Sequence, residues 1–318
     1  MIPATAHFLW FGREFPFIFG LALRSAALRG EMERVVLHHA DPIAETPGGR
    51  LALETPAVEA RPLHPEPVLD RVPEIGGELV ALYRRLTAPA ARANMIRAAL
   101  LHTEGGVYLD TDTVTLRSLR PLLDAGFFCG EEHLCLPADL VRSRHPLRWA
   151  RAGLLLALRD GLRRWPEGYR WFPAVRGLYG TAPNNAVVGG APGHPLLAEL
   201  LRAMVRLDPA RQTVRYALGT HLLTEQVARA RASGPMPDLH VHPPEVFYPL
   251  GPEISEHWFR LRAPGRVALE RVLSPDTRVV HWYASVRTRH IVPQVDAAYI
   301  RAHARRQLFS ALVAPLLP

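Results

Sequence analysis

Apolar, β-favouring residues fall in short runs separated by turn residues, the pattern of a sheet made of buried strands. Residues 4–11 (ATAHFLWF) form one such run ended by Gly12, so a first buried strand is predicted there. Residues 17–29 read as a helix stopped by Gly30, and residues 34–39 as a second strand. Strand, helix, strand opens an α/β layered domain. The Pro-rich segment 41–73 is predicted as a long connection, either a mobile cover or a patch of small elements. Pro89 starts a helix with Ala93, Ile96, Arg97 and Leu100 on related faces, and Gly105-Gly106 ends it. Val107-Tyr108-Leu109 then reads as a short buried strand delivering Asp110-Thr111-Asp112 at its C-terminal end. That is where open α/β sheets bind ligands.

Farther along, the pattern changes from strand to amphipathic helix. A basic amphipathic helical insertion is predicted at about 137–175. It sets Trp149, Leu154, Leu155, Leu158, Leu162 and Trp165 among Arg142, Arg144, Arg148, Arg151, Arg159, Arg163 and Arg164. Asn184-Asn185 reads mainly as a turn signal. Helices are predicted at 195–207 and 214–232, a strand at 279–282 and a terminal helix near 294–313. No repeat or low-complexity tract divides the chain, so residues 1–318 are expected to form one domain.

Composition describes an ordinary globular protein, with 48% hydrophobic residues and mean hydropathy near zero. The formal charge is +8, and all 38 basic residues are Arg. A basic surface favours polyanions: nucleotide diphosphates, acidic glycans, anionic membrane or nucleic acid. No nucleic-acid motif accompanies it, and no nucleic-acid partner is expected. Cys129 and Cys135 have neither a zinc spacing nor the density of a disulfide scaffold, so they are expected as reduced thiols. No apolar run approaches the ~20 residues that span a bilayer, and the start lacks a signal-peptide pattern. A cytoplasmic location is the expectation, with peripheral contact with an anionic membrane left open by the Arg/Leu/Trp stretch and by the similar tail HARRQLFSALVAPLLP.

Candidate chemistry centres on Asp110 and Asp112. Two carboxylates at i and i+2 in an extended segment project to one side and can share a hard cation such as Mg²⁺ or Mn²⁺. A bare D-x-D occurs often by chance, and its surroundings carry the weight. The stretch ARANMIRAALLHTEGGVYLDTD resembles the D-x-D sugar-binding region of glycosyltransferase family 32 and its relatives, which include fungal initiating mannosyltransferases, capsular sugar transferases and clostridial toxin glucosyltransferase domains. Arg97, Gly105, Gly106, Tyr108, Leu109, Asp110 and Asp112 stand in register with that pattern. More thinly, IPATAHFLWFG resembles the family's first strand, PNNAVVGGAPGHPLL its Asn-rich segment before a helix, and RVVHWYAS its late H-x-W-x-x-S signature.

The resemblance implies a GT-A-like, Rossmann-type nucleotide-sugar-binding domain with helical insertions. It also implies a UDP-sugar or GDP-sugar donor, Mn²⁺ or Mg²⁺, and transfer with retention to a glycan, lipid-linked or small-molecule acceptor. By the same resemblance Asp112 is the most direct metal ligand, Asp110 contacts ribose or metal, and His281 is a third metal ligand. Arg97 holds donor hydroxyls or phosphate, Tyr108 lies against ribose or sugar, Trp10 stacks on the base, and Trp282 lines the diphosphate site. A hydrogen-bonded core histidine is an equal reading for His281, and a core residue remains an alternative for Trp10. Two positions depart from the family. Ala93-Asn94 replaces a usual Ser-Asp, so Asn94 keeps an acceptor at the sugar site without the charge. Leu218-Gly219-Thr220-His221 replaces a T-G-P turn. The first departure keeps open a catalytically silent relative that only binds nucleotide sugar or glycan.

Overall fold

The computed structural model describes residues 1–318 except 137–139, 141, 142, 213, 215 and 235. The start of the expected basic insertion, with Arg142, therefore lies outside the described residues. Nine strands are described: β1 (Thr5–Trp10), β2 (Arg34–His39), β3 (Val58–Pro62), β4 (Gly106–Leu109), β5 (Thr113–Thr115), β6 (Phe127–Leu134), β7 (Gly180–Gly190), β8 (Leu239–His242) and β9 (Val279–His281). Seven make one sheet in the order β3-β2-β1-β4-β7-β6-β8, and β5 pairs with β9 in a small second sheet.

β1, β2, β3 and β4 run parallel, and β7 adds antiparallel to β4. β1 and β4 are buried along almost their whole length, as strands covered on both faces must be. Side chains alternate between two cores. Phe8, Val107, Leu109 and Phe128 join the core over the helix Phe17–Arg29, while Leu9, Tyr108 and Phe127 join the core under Pro89–Thr103. The chain winds outward from β1 through β2 to β3, then returns to place β4 on the other side of β1. The order of strands reverses there, so the crevice beyond the carboxyl ends of β1 and β4 is a topological switch point. The expected α/β layered architecture is the one observed.

Of the two readings left open for segment 41–73, the patch of small elements is the one observed: the helix Pro47–Leu53, β3 and the helix Pro65–Asp70, with β3 held by parallel pairing to β2. Other expectations are corrected. Asn184 and Asn185 lie inside β7, because β6 and β4 pair along that strand and override the local turn preference. The helix expected at 214–232 is interrupted at Gly219 (φ −120°, ψ −114°), so a π-helical turn Ala217–His221 leads into Leu222–Ala232. The terminal helix is two short ones, Ala297–His303 and Leu308–Val313. β6 and β8 and the helix Gly76–Arg85 were not anticipated. The basic stretch forms the helix Pro146–Arg164, followed by Gly168–Val175.

Candidate functional site

The helix Pro89–Thr103 is buried all round from Met95 to Leu101, and Arg97 is the one charged residue in that span. A guanidinium removed from water needs partners. Its Nη2 donates to Asp110 Oδ1 at 2.7 Å and its Nη1 to the Asn185 carbonyl at 2.5 Å. The plane lies over the Tyr108 ring at 4.0 Å, and the Tyr108 hydroxyl donates to the same Asp110 oxygen at 2.9 Å. Tyr108 and Asp110 are two apart at the end of β4 and so share a side. Asp110 is thus held by a cation and a phenol, both reaching it from the Tyr108 side of the sheet.

Asp112 is held by a different set of groups. The Thr113 N–H donates to the Asp110 carbonyl at 3.1 Å, closing a turn over Asp110-Thr111-Asp112-Thr113. The expectation of an extended Asp-x-Asp is corrected accordingly: the chain must leave β4 and reverse toward β5 within three residues. The turn still brings the two aspartates together, with Asp112 facing β9. Its Oδ1 lies 3.0 Å from His281 Nε2, and its Oδ2 accepts the Ala284 N–H at 2.8 Å. One ligand atom each from Asp110, Asp112 and His281 falls within 4.8 Å of the others. β5 pairing with β9, Thr113 opposite His281, sets this approach.

The electrostatics separate the two carboxyls. Burial dominates at Asp110 and raises it above the usual carboxylate value, although Arg97 pulls it down. Burial also pushes Asp112 upward, but His281 and the Ala284 N–H outweigh it and hold Asp112 below the usual value. At His281 the cost of burial is exceeded by Asp112, and the imidazole is raised above 6.5. Its Nδ1 is buried without a hydrogen-bond partner among the described residues. Two carboxylates and an imidazole, each offering one ligand atom, are a donor set that fits a divalent cation.

The turn that delivers the Ala284 N–H is built on a left-handed residue. Tyr283 has φ +57°, unusual for an aromatic side chain. Its hydroxyl donates to Glu132 Oε2 at 2.8 Å, and its ring lies 4.0 Å from that of His281. Glu132, buried on β6, has its carboxyl raised by burial. Sequence reasoning missed Glu132 and Tyr283, since only the pairing of distant strands brings them together.

Of the other expected site residues, Trp10 is half-buried at the end of β1, between Phe15 and Phe19, with ring centroids 4.8 and 4.9 Å away. It borders the switch-point crevice. Trp282 is fully buried with its ring among Phe19, Phe259 and Phe309, and its backbone N–H donates to the Asp112 carbonyl at 3.0 Å. The indole N–H of each lacks a partner among the described residues. Asn94 accepts from Asn185 Nδ2 at 2.9 Å, in a small cavity that Arg97, Leu218 and Gly219 also line. The sheet therefore gathers Trp10, Asn94, Arg97, Tyr108, Asp110, Asp112 and His281 around one end of β4, and places Trp282 in the core behind them.

Residues 60–128 match the family described as glycosyltransferase sugar-binding region containing DXD motif. The matched stretch contains Asn94, Arg97, Tyr108 and both aspartates, so the chain carries a sugar-binding region of the DXD-containing kind found in glycosyltransferases. No curated protein sequence matches it. Among solved structures it is similar to mouse xyloside xylosyltransferase 1, with 12% identity, 88% of this chain and 98% of that one covered, and TM-score 0.48. It is also similar to the PaToxG glycosyltransferase (14%, 73% and 71%, TM-score 0.44) and to the galactosyltransferase LgtC in complex with donor and acceptor sugar analogues (11%, 87% and 86%, TM-score 0.41).

Proposed function

We propose that this protein is a retaining glycosyltransferase that moves a sugar from a UDP-sugar, or alternatively a GDP-sugar, to a hydroxyl of a glycan, lipid-linked or small-molecule acceptor. The reading rests on Asp110, Asp112 and His281 converging beyond the carboxyl end of β4, at the switch point of the sheet. These three would hold Mn²⁺ or Mg²⁺, which as a Lewis acid offsets the charge on a departing diphosphate. In the transfer, the bond from the anomeric carbon to the β-phosphate oxygen breaks, the bond to the acceptor oxygen forms, and the acceptor proton leaves to the phosphate.

The chain's own part is positioning and electrostatics. Arg97 and the Tyr108 hydroxyl fix Asp110 through one oxygen and leave the other free for donor or cation. The Ala284 N–H and His281 fix Asp112. Trp10 offers an aromatic surface for the base at the edge of the crevice. Asp112→Asn should abolish cation-dependent release of UDP or GDP while thermal unfolding still shows a folded protein. Unchanged turnover would overturn the reading.

One observation favours a second reading, a nucleotide-sugar-binding module without transfer activity. Asn94 lacks a carboxylate's charge, and its oxygen already accepts a hydrogen bond from Asn185, which takes one of the two lone pairs a sugar hydroxyl could use. Saturable UDP-sugar binding with no hydrolysis or transfer across donors and acceptors would select it.

A further inference from the structure

The helix Pro146–Arg164 buries only Ala152 and Leu162. Its outward side carries Leu147, Ala150, Leu154, Ala157 and Gly161, spaced three and four apart and all exposed, which makes one continuous apolar strip. Leu147 is 72% and Leu154 73% exposed. Just past the helix end, Trp165 (47% exposed) stacks on Trp171 (56% exposed), ring centroids 6.1 Å apart. Large apolar side chains grouped in water mark a surface that something covers.

The charges around the strip say what. Residues 143–178 hold eight arginines and two acids, Asp160 and Glu167. Both acids are paired within the segment, Asp160 with Arg159 and Arg163, and Glu167 with Arg170. Arg144, Arg151 and Arg164 are exposed, and among the described residues none has a carboxylate partner. A second copy would bring the same cations to the strip with no free acid to oppose them. We propose that this face docks on an anionic lipid bilayer. Leu147, Leu154, Trp165 and Trp171 enter the headgroup boundary, and Arg144, Arg151 and Arg164 meet the lipid charge. Among the described residues no helix is long and apolar enough to cross a membrane, so the contact is peripheral. It does not depend on the reaction proposed above.

Vesicle co-sedimentation of the full chain tests it without any turnover assay. Binding should be strong on phosphatidylcholine vesicles containing phosphatidylglycerol, weak on phosphatidylcholine alone, and should fall as salt rises. Replacing Leu147 and Leu154 by Glu should weaken binding by about tenfold or more, with thermal unfolding unchanged. Arg151→Gln and Arg164→Gln should each weaken it roughly fivefold. In the unaltered protein, brominated lipid should quench tryptophan fluorescence, and less so after Trp165→Phe and Trp171→Phe. Equal binding to neutral and anionic vesicles, no binding, or binding and quenching untouched by these substitutions would each overturn the proposal. A dimer in sedimentation velocity that Leu154→Glu dissociates, without vesicle binding, would assign the face to a second copy instead.

Discussion

Arg97 Nη2 lies 2.7 Å from Asp110 Oδ1, the single carboxylate partner, among the described residues, of a guanidinium buried in an apolar helix. Removing one member of such a pair leaves the other without compensation. Arg97→Met should lower stability by about 3 kcal/mol, in urea or thermal unfolding. Arg97→Lys keeps the charge but cannot serve both Asp110 and the Asn185 carbonyl, and should cost about 1–2 kcal/mol. With Asp110 loosened, kcat/KM for the donor should fall in both, more than substrate KM rises.

Glu132 and Tyr283 shape the turn behind Asp112. Tyr283→Phe leaves the buried Glu132 carboxyl short of a donor and should cost about 1–3 kcal/mol. If this pair sets the turn, the apparent affinity for Mn²⁺ should weaken with it, and Glu132→Gln, which still accepts from the phenol, should retain most of that affinity. Equal metal affinity in Tyr283→Phe and the unaltered protein would show the turn holds itself.

The Asp112–His281 pair gives a defined pH window. His281 is raised above 6.5, so its contribution is full below 6.5 and is lost as pH rises through the higher folded value. Asp112 is lowered below 3.8, so its contribution is full above 3.8 and is lost as pH falls through the lower folded value. The stability difference between the unaltered protein and Asp112→Asn, without cations, should therefore be greatest between these two values and shrink on either side. Cation binding needs the neutral imidazole, so Mn²⁺ affinity should climb as pH passes upward through the His281 value.

His7 and His38 predict acid sensitivity from the core. Gly105 accepts from His7 Nε2 at 2.9 Å, which leaves His7 Nδ1 to accept from His38 Nε2 at 3.0 Å, both rings neutral. Burial drives His38 down to about 3 and lowers His7. Unfolded histidines take up protons below about 6.5 while these do not, so stability should decline from pH 6.5 toward 3, at up to about 1.4 kcal/mol per pH unit for each ring. His38→Gln should flatten the slope of unfolding free energy against pH.

Gly106 sits at φ +113°, and an added Cβ would stand 2.6 Å from the Thr5 carbonyl oxygen and 2.9 Å from the His7 ring. Backbone on one side of that contact cannot give way. Gly106→Ala should destabilise by about 3 kcal/mol or more, measured by chemical unfolding, and disturb the entry to β4.

The sequence by itself determined the parts whose cause is local. β1, the helix Phe17–Arg29, β2 and the helix beginning at Pro89 follow from apolar runs, a glycine stop and a proline start, and they lie where those signals put them. The Gly-Gly turn and the short apolar strand placed Asp110 at a strand end, and the text around it pointed to the sugar-binding D-x-D region. Tertiary structure decided everything that depends on pairing between distant segments. Asn184-Asn185 has the local signature of a turn, yet it is strand because β6 pairs with Asn184 on one side of the dipeptide and β4 and β6 pair with the residues just beyond it, up to Gly190. The extended geometry assumed for Asp110 and Asp112 gave way to a turn because β5 must reach β9, and only that pairing brings His281 to Asp112. Trp10 and Trp282 look alike in a sequence. One stands half-buried at the rim of the crevice and the other fully inside the core, because burial is set by what packs against a side chain rather than by the side chain itself.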